Sequence, residues 1–460
     1  MHRSKLVFGV LILAMTSPSS AQGRPYQAID LGVPIGQSPI AGVGAECISP
    51  NGDHVGGYSV WEPFVWSRSV GMRALQKAAG DGLAQVNGVD DLGNGIGSSG
   101  TLLGGNRAVT WTPNGAVRLL HQASWSSSFG VGITNSGRVL VNARIGSTSV
   151  GRSIAFTGTL MGPLTTVAPN ATNSIAFDIN EAGQLCLMVD DLPFRLTPGI
   201  GLEPVGPFQP ERLNDLGQMA GLDPSNGALM RRTDGVGWEN LGRAPVGNFR
   251  DVGGIDSFGR IVVTEYVRSG ISPPTYFHFG YLHVDGLGLR KLDDLVLGSQ
   301  PVRVYTVRGI TDDGNIACWG SFGPNNRALL LEPRFVASYG NGCAGGAGRQ
   351  PKATADGMPA AGNRIVLLGS GGVANGTALF LIAASPAAVN LPGGCNLLAD
   401  AASGLAIAVS TGGTGQASVS FNLPSNLPAG SVYAQFITLD TGAANGVFAT
   451  SNGVRIDVQR

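Results

Sequence analysis

One five-residue pattern recurs seven times along this chain: an apolar residue, a small polar residue, two turn-forming residues and a glycine. The copies are Ile48-Ser49-Pro50-Asn51-Gly52, Val89-Asp90-Asp91-Leu92-Gly93, Ile133-Thr134-Asn135-Ser136-Gly137, Ile179-Asn180-Glu181-Ala182-Gly183, Leu213-Asn214-Asp215-Leu216-Gly217, Ile255-Asp256-Ser257-Phe258-Gly259 and Ile310-Thr311-Asp312-Asp313-Gly314. Their glycines lie 41, 44, 46, 34, 42 and 55 residues apart, close to the length of one four-stranded propeller blade. Each copy reads as a hairpin turn. The apolar residue ends a strand, Asn, Asp, Ser or Thr turns the chain by bonding local backbone, and glycine accepts a positive φ. A second, mostly apolar strand follows each glycine, as in Val139-Leu140, Met219-Ala220 and Ile261-Val262, which fits a hairpin.

The third strand of each repeat is aromatic or bulky, as in Phe64-Val65-Trp66, Val109-Thr110-Trp111 and Ile154-Ala155-Phe156, and most repeats close with a strand such as Met72-Arg73-Ala74-Leu75 or Leu289-Arg290-Lys291-Leu292. The seventh repeat stops at Glu332-Pro333 without a closing strand, while residues 26–32 resemble the closers. A ring of sheets hides its first and last edges when one strand crosses the seam. The expected fold is therefore all-β: a seven-bladed β-propeller over residues 24–334, whose N-terminal strand completes the blade of residues 305–333, followed by a C-terminal β-sandwich over residues 337–460.

Pro63-Phe64-Val65-Trp66, Ala108-Val109-Thr110-Trp111, Ile179-Asn180 with Gly183-Gln184, and Asp30-Leu31-Gly32 resemble the unit of the secreted bacterial HAF-repeat proteins. In that family the unit runs Ala-x-x-Ile-Asn-x-x-Gly-Gln-Val-Val-Gly, then His-Ala-Phe-x-Trp, then Asp-Leu-Gly. The likeness spans residues 25–333, and the signature histidine is absent from all seven copies. The resemblance implies an exported, propeller-like protein and brings no chemistry with it.

Residues 1–21 carry His2, Arg3 and Lys5, then an apolar run over residues 6–15, then Ser19-Ser20-Ala21, which is the order of a cleaved signal peptide. The expected location is secreted or at the cell surface. No later apolar run approaches the 20 residues a membrane helix needs, so no transmembrane anchor is expected. The chain has 30 basic and 30 acidic residues, and its arginines are scattered; no electrostatic footprint for nucleic acid is present.

Beyond residue 333 the composition turns to Gly, Ala and small apolar residues, with strands expected at residues 364–368, 377–383, 405–409, 416–423, 432–439 and 454–458. Tyr339-Gly340-Asn341-Gly342-Cys343 and Ser451-Asn452-Gly453-Val454-Arg455-Ile456 resemble a C-terminal module that ends many large secreted proteins of environmental bacteria. Cys343 and Cys395, the two cysteines of this region, are expected to pair and close a loop of about 50 residues. A bond between Cys47 and Cys318 is a further candidate, and Cys186 reads as a small buried hydrophobe.

Chemistry is sparse. Gly95 to Gly100 and Gly340 to Gly345 fit G-x-G-x-x-G, but neither opens a helix as phosphate binding requires, and both read as turns. No nucleophile elbow or zinc motif occurs, so no catalytic, cofactor or metal residue is assigned, and His278 and His283 differ in parity along one strand and point to opposite faces. Acidic residues flank the repeated turns (Asp90-Asp91, Asp178 with Glu181, Asp215, Asp251 with Asp256, Asp312-Asp313). They are expected on one rim, where turn chemistry outweighs calcium binding. The chain is thus expected to be an exported non-catalytic binding or structural protein. Its propeller would offer a platform to an extracellular glycan or a cell-surface protein, and its C-terminal module would serve accessory or attachment roles. The alternative is an extracellular polysaccharide lyase or hydrolase whose site is assembled from several blades. An axial cluster of buried carboxylates beside a His or Tyr would favour that alternative.

Overall fold

The computed structural model describes residues 26–34, 42–102, 104–146, 151–269, 275–297 and 301–459; the expected signal peptide lies outside them. The chain is all-β, with no α-helix among the described residues. Seven small antiparallel sheets follow one another, each of four strands in chain order for the first six. They begin at Val43–Ile48, Leu83–Val89, Trp125–Ile133, Ser174–Ile179, Gln209–Leu213, Asn248–Ile255 and Val302–Ile310, and are numbered sheets 1 to 7. In sheet 7 the outer strand is Tyr26–Asp30, antiparallel to Asn325–Pro333 with Tyr26 opposite Pro333 and Asp30 opposite Leu329. The sequence did not announce a fifth strand, Val296–Leu297, which runs parallel outside Tyr26–Asp30.

The repeated turns form as their chemistry requires. In every copy glycine takes φ between 76° and 84°, and its N–H closes a tight turn on the second residue's carbonyl, as from Gly183 to Asn180 at 2.9 Å. That second residue (Ser49, Asp90, Thr134, Asn180, Asn214, Asp256 or Thr311) is at most 4% exposed. In six copies its side chain accepts the amide just past the glycine, as from Gln184 N–H to Asn180 Oδ1 and from Gln218 N–H to Asn214 Oδ1, each at 2.9 Å, and in the first Ser49 Oγ accepts the His54 amide at 3.0 Å. This explains why only Ser, Thr, Asn and Asp stand there.

Neighbouring sheets bury apolar faces against each other. Cys47, Val65, Val86 and Trp111 fill the space between sheets 1 and 2, and Val55, Phe64, Ala317, Ala328 and Leu330 join sheet 1 to sheet 7, so the succession returns on itself. Gly95–Gly100 is a buried strand of sheet 2, not a turn. Its small residues suit the narrow gap to sheet 3, where a Cβ on Gly130 would lie 2.8 Å from the Gly97 backbone. Cys47 and Cys318 are free and buried. Cys47 belongs to the core against sheet 2 and Cys318 to the core against sheet 6, so they point away from each other and no bond joins them. Cys186 is free and fully buried.

The C-terminal region contains a five-stranded and a three-stranded sheet that share an apolar core including Ala355, Leu367, Phe380, Phe436 and Ile456. The six expected strands are present. The strands Val336–Tyr339 and Lys352–Gly357 and the hairpin of Pro386–Leu391 with Cys395–Ala399 add to them. A disulfide joins Cys343 to Cys395. This region also buries surface against the repeats, with Val366 and Leu368 entering the core of sheets 6 and 7.

Candidate functional site

The first strands of all seven sheets line one central cavity of about 280 Å³. In each sheet the pairing of first and second strands slips by one residue at the same place, leaving Glu46, Asn87, Val131, Phe177, Glu211, Gly253 and Arg308 unpaired. Such a bulge re-aims the side chain it carries.

At the turn end, the third residue of one turn accepts the backbone N–H of the preceding turn. Asp91 N–H donates to Asn135, Asn135 N–H to Glu181, Glu181 N–H to Asp215 and Ser257 N–H to Asp312, at 2.7–3.0 Å. The acidic turn residues do gather on one rim, where they tie turn to turn. Asp178 and Asp251 stand apart from that rim, because they sit on the strands before the turns. No group of three or more metal-ligating side chains occurs among the described residues.

The C-terminal sheets cover part of this end. Lys352 pairs with Asp312 at 2.5 Å and lines the cavity. Gln416 exchanges hydrogen bonds with Gln218 at 2.8 Å and donates to the Ser257 carbonyl at 2.7 Å. Deeper, Arg260 and Asp356, 1% and 0% exposed at their side chains, pair at 3.4 Å, and Arg290 reaches the other oxygen of Asp356 at 3.4 Å.

Several polar residues midway along the cavity are explained as clasps between first strands. Asp178 accepts the Leu213 amide at 3.0 Å, Asn87 donates to the Gly130 carbonyl at 2.9 Å, and Arg212 donates to the Gly253 carbonyl at 3.0 Å. Glu211 accepts the Val252 amide at 2.8 Å and also lines an open pocket of about 450 Å³ between sheets 5 and 6. Burial pushes its carboxyl up from 4.5 to about 7. The folded chain therefore holds this proton more tightly than the unfolded chain, and stability falls as the pH rises from about 4.5 through about 7. Glu211→Gln removes that loss. Above pH 7 it should melt higher than the parent by a margin worth about 3 kcal/mol, with no gain at pH 4.5; parallel melting curves across this range would refute the assignment.

At the same bulge level of sheets 1 and 7 the linking groups are charged on both sides. Arg308 of sheet 7 pairs with Glu46 of sheet 1 at 3.1 Å and with Asp251 of sheet 6. Burial raises the Glu46 carboxyl against the opposing pull of Arg308. Tyr58 and Tyr266 lie within the field of the same groups, and burial, then a neighbouring carboxylate, raises both phenols. Tyr266 stacks on His278 with ring centroids 4.2 Å apart, and burial lowers the His278 imidazole, helped by Arg308. His283 faces the other side of its strand, beside Arg231 and Asp285, as the parity predicts.

Glu46 and Arg308 line the central cavity, with Asp251, Tyr266 and His278 beside them outside its lining; the two carboxylates are part-buried, 21% and 27% exposed at their side chains, and sequence reading did not find this group. Glu46 and Arg308 both stand six residues ahead of their turn glycines, at the shared bulge, and Asp251 stands eight ahead of its own. The available signal was a charge at a position where other repeats carry Asn87, Val131, Phe177 or Gly253.

No family model matches the sequence, and no curated protein matches it. Among solved structures the chain is similar to putative TolB from Agrobacterium tumefaciens, with 12% identity over 60% of this chain and 89% of that one and a TM-score of 0.34. It is also similar to TolB from Acinetobacter baumannii, with 10% identity over 54% of this chain and 62% of that one and a TM-score of 0.35. A third is the Trypanosoma rangeli sialidase in complex with 2,3-difluorosialic acid, with 10% identity over 86% and 94% of the two chains and a TM-score of 0.34.

Proposed function

We propose that this chain is an exported seven-bladed β-propeller, closed by its N-terminal strand and carrying a C-terminal β-sandwich, that binds a polar extracellular ligand at the axial mouth remote from the sandwich. The seven sheets with one shared cavity support the propeller, and the shared core of the two C-terminal sheets supports the sandwich. Export rests on the order of charged, apolar and small residues in positions 1–21. The Cys343–Cys395 disulfide accords with an oxidising compartment, and no helix among the described residues is long and apolar enough to cross a membrane. The C-terminal sheets, docked across the turn end, take the accessory role.

The observation that carries the binding reading is the convergence of Glu46, Asp251 and Arg308 from three sheets on one mouth. A ligand site needs a few polar groups converging in a concave surface, and this mouth supplies acceptors and donors together. A second reading, an extracellular hydrolase or lyase, is favoured by one feature. Glu46 is raised by burial beside the carboxylate of Asp251, and two carboxyl groups held in different protonation states can divide acid and base roles.

Binding is common to both readings, and turnover divides them. The purified protein should retain on one of a panel of immobilised polysaccharides, and Arg308→Ala should weaken retention tenfold or more, about 1.4 kcal/mol. Retention unchanged in Arg308→Ala overturns the axial site. Release of reducing ends that Glu46→Gln abolishes, with retention kept, makes the protein an enzyme; retention without release makes it a binding protein.

A further inference from the structure

We infer that the axial mouth is a subsite for a neutral oligosaccharide, whose sugar ring lies on the Tyr266–His278 stack while its hydroxyls engage Glu46, Asp251 and Arg308. This rests on the axial binding reading and names its ligand class. The first observation is the length of sheet 6. Its second strand runs ten residues past the turn glycine, to Ser269, against five to eight in the other sheets. The extra length projects past the mouth and carries Tyr266 and His278 facing sheet 7, with Tyr276 and Phe277 exposed near the tip.

Second, the His278 Nδ1 atom is buried and has no hydrogen-bond partner among the described residues. A buried imidazole nitrogen without a partner carries an unmet hydrogen bond, and Arg308 is the charged group near it. Third, sheet 1, which supplies Glu46, displays Trp61 at the same end. The turn of Val60 and Trp61 holds both residues at positive φ, 44° and 72°, a conformation that β-branched and bulky side chains rarely adopt. Sheet 4 makes the corresponding turn with Asp190 and Asp191, residues that suit it. Sheet 1 thus bears strain with the outcome that an indole stands 54% exposed, and such strain gathers at binding sites.

The charge balance selects the ligand. Aromatic faces beside carboxylates alone would suit a cation. Here two guanidiniums face the two carboxylates: Arg308 pairs with both Glu46 and Asp251, and Arg250 lies 5.8 Å from the Tyr266 ring. A group already balanced gains nothing from a charged guest, whereas a neutral polyol takes hydrogen bonds from both signs and stacks its C–H faces on the rings.

The test is isothermal titration of the full-length protein with cellohexaose, laminarihexaose, mannohexaose and chitohexaose, with an oligogalacturonate as the charged comparison. One neutral hexasaccharide is expected to bind and the galacturonate not. Tyr266→Ala and Trp61→Ala should each weaken binding about tenfold. His278→Phe, which keeps the stack and removes the nitrogen, should weaken it several-fold. Val70→Ala, at an exposed position on the turn end of sheet 1, should leave it unchanged, with melting temperatures verifying each fold. If Arg308→Ala abolishes binding but Tyr266→Ala and Trp61→Ala do not, the platform is overturned and axial binding stands. Binding of the galacturonate alone overturns the neutral class. Binding that none of these variants alters overturns both readings.

Discussion

Removal of residues 26–33 should lower the melting temperature by about 10 °C or more and leave the protein prone to aggregate. The strand Tyr26–Asp30 supplies five rungs of pairing to sheet 7, and Arg327 pairs with Asp30 at 3.2 Å. Tyr26 is 0% exposed and Leu31 is 4% exposed. Each fully buried large side chain contributes about 1.5–3 kcal/mol, so these two together account for about 5 kcal/mol before any pairing is counted. The deletion also uncovers the edge of Asn325–Pro333, with the run Leu329-Leu330-Leu331, and an unpaired apolar edge is a template for association. Calorimetry of the truncated chain beside the parent decides the matter. A melting curve that does not move would mean that sheet 7 is complete without this strand.

The second large effect concerns the joint between the repeats and the C-terminal sheets. Asp356→Ala should cost about 3–5 kcal/mol, because removing one member of a buried ion pair strands the other. Arg260, 1% exposed at its side chain, keeps Asp256 at 2.5 Å and donates to the Thr311 and Asp312 carbonyls, but the charge it shares with Arg290 over Asp356 is lost. Exposed pairs nearby are worth far less: Lys352→Ala, at a side chain 46% exposed, should shift the melting temperature by no more than a degree or two. Amide exchange should show the protection of Lys352–Gly357 and Arg364–Ser370 falling first in Asp356→Ala. Equal exchange in parent and variant would show that the joint is held by the apolar contacts of Val366 and Leu368 alone. That joint also bears on the β-sandwich expected over residues 337–460, since those two side chains complete a core of sheets 6 and 7.

What was legible in the sequence was what is local. A turn whose Asn180 accepts the amide of Gln184 is written within five residues, so the repeat, its period and the strands on either side could be read directly. The missing closing strand was legible for the same reason, because one repeat could be compared with six others. The pair Cys343 and Cys395 was reached by counting. The mouth was not legible, since Glu46, Asp251 and Arg308 are separated by some two hundred residues or more on one side and by 57 on the other, and only the return of sheet 7 to sheet 1 brings them together. The bulges were hidden too, as a one-residue slip leaves no mark when it falls on Glu, Asn, Val, Phe, Gly or Arg alike. Gly95–Gly100 was misread because a glycine-rich run signals a turn in isolation, whereas here close approach of two sheets demands small residues.

The belt of turn-to-turn hydrogen bonds has one open link. From sheet 1 to sheet 5 each turn is fastened to the next, and Asn214 fastens sheet 5 to the Asp256 carbonyl at 2.7 Å. Pro50 stands where the first turn would offer a side-chain acceptor to the Asp312 amide, so that junction is closed by other means. Arg68 of sheet 1 reaches Glu332 of sheet 7 at the turn end, and Arg308 reaches Glu46 farther along the cavity. The molecule is thus a bracelet whose seam is latched twice by charge, over the apolar core that sheets 1 and 7 share.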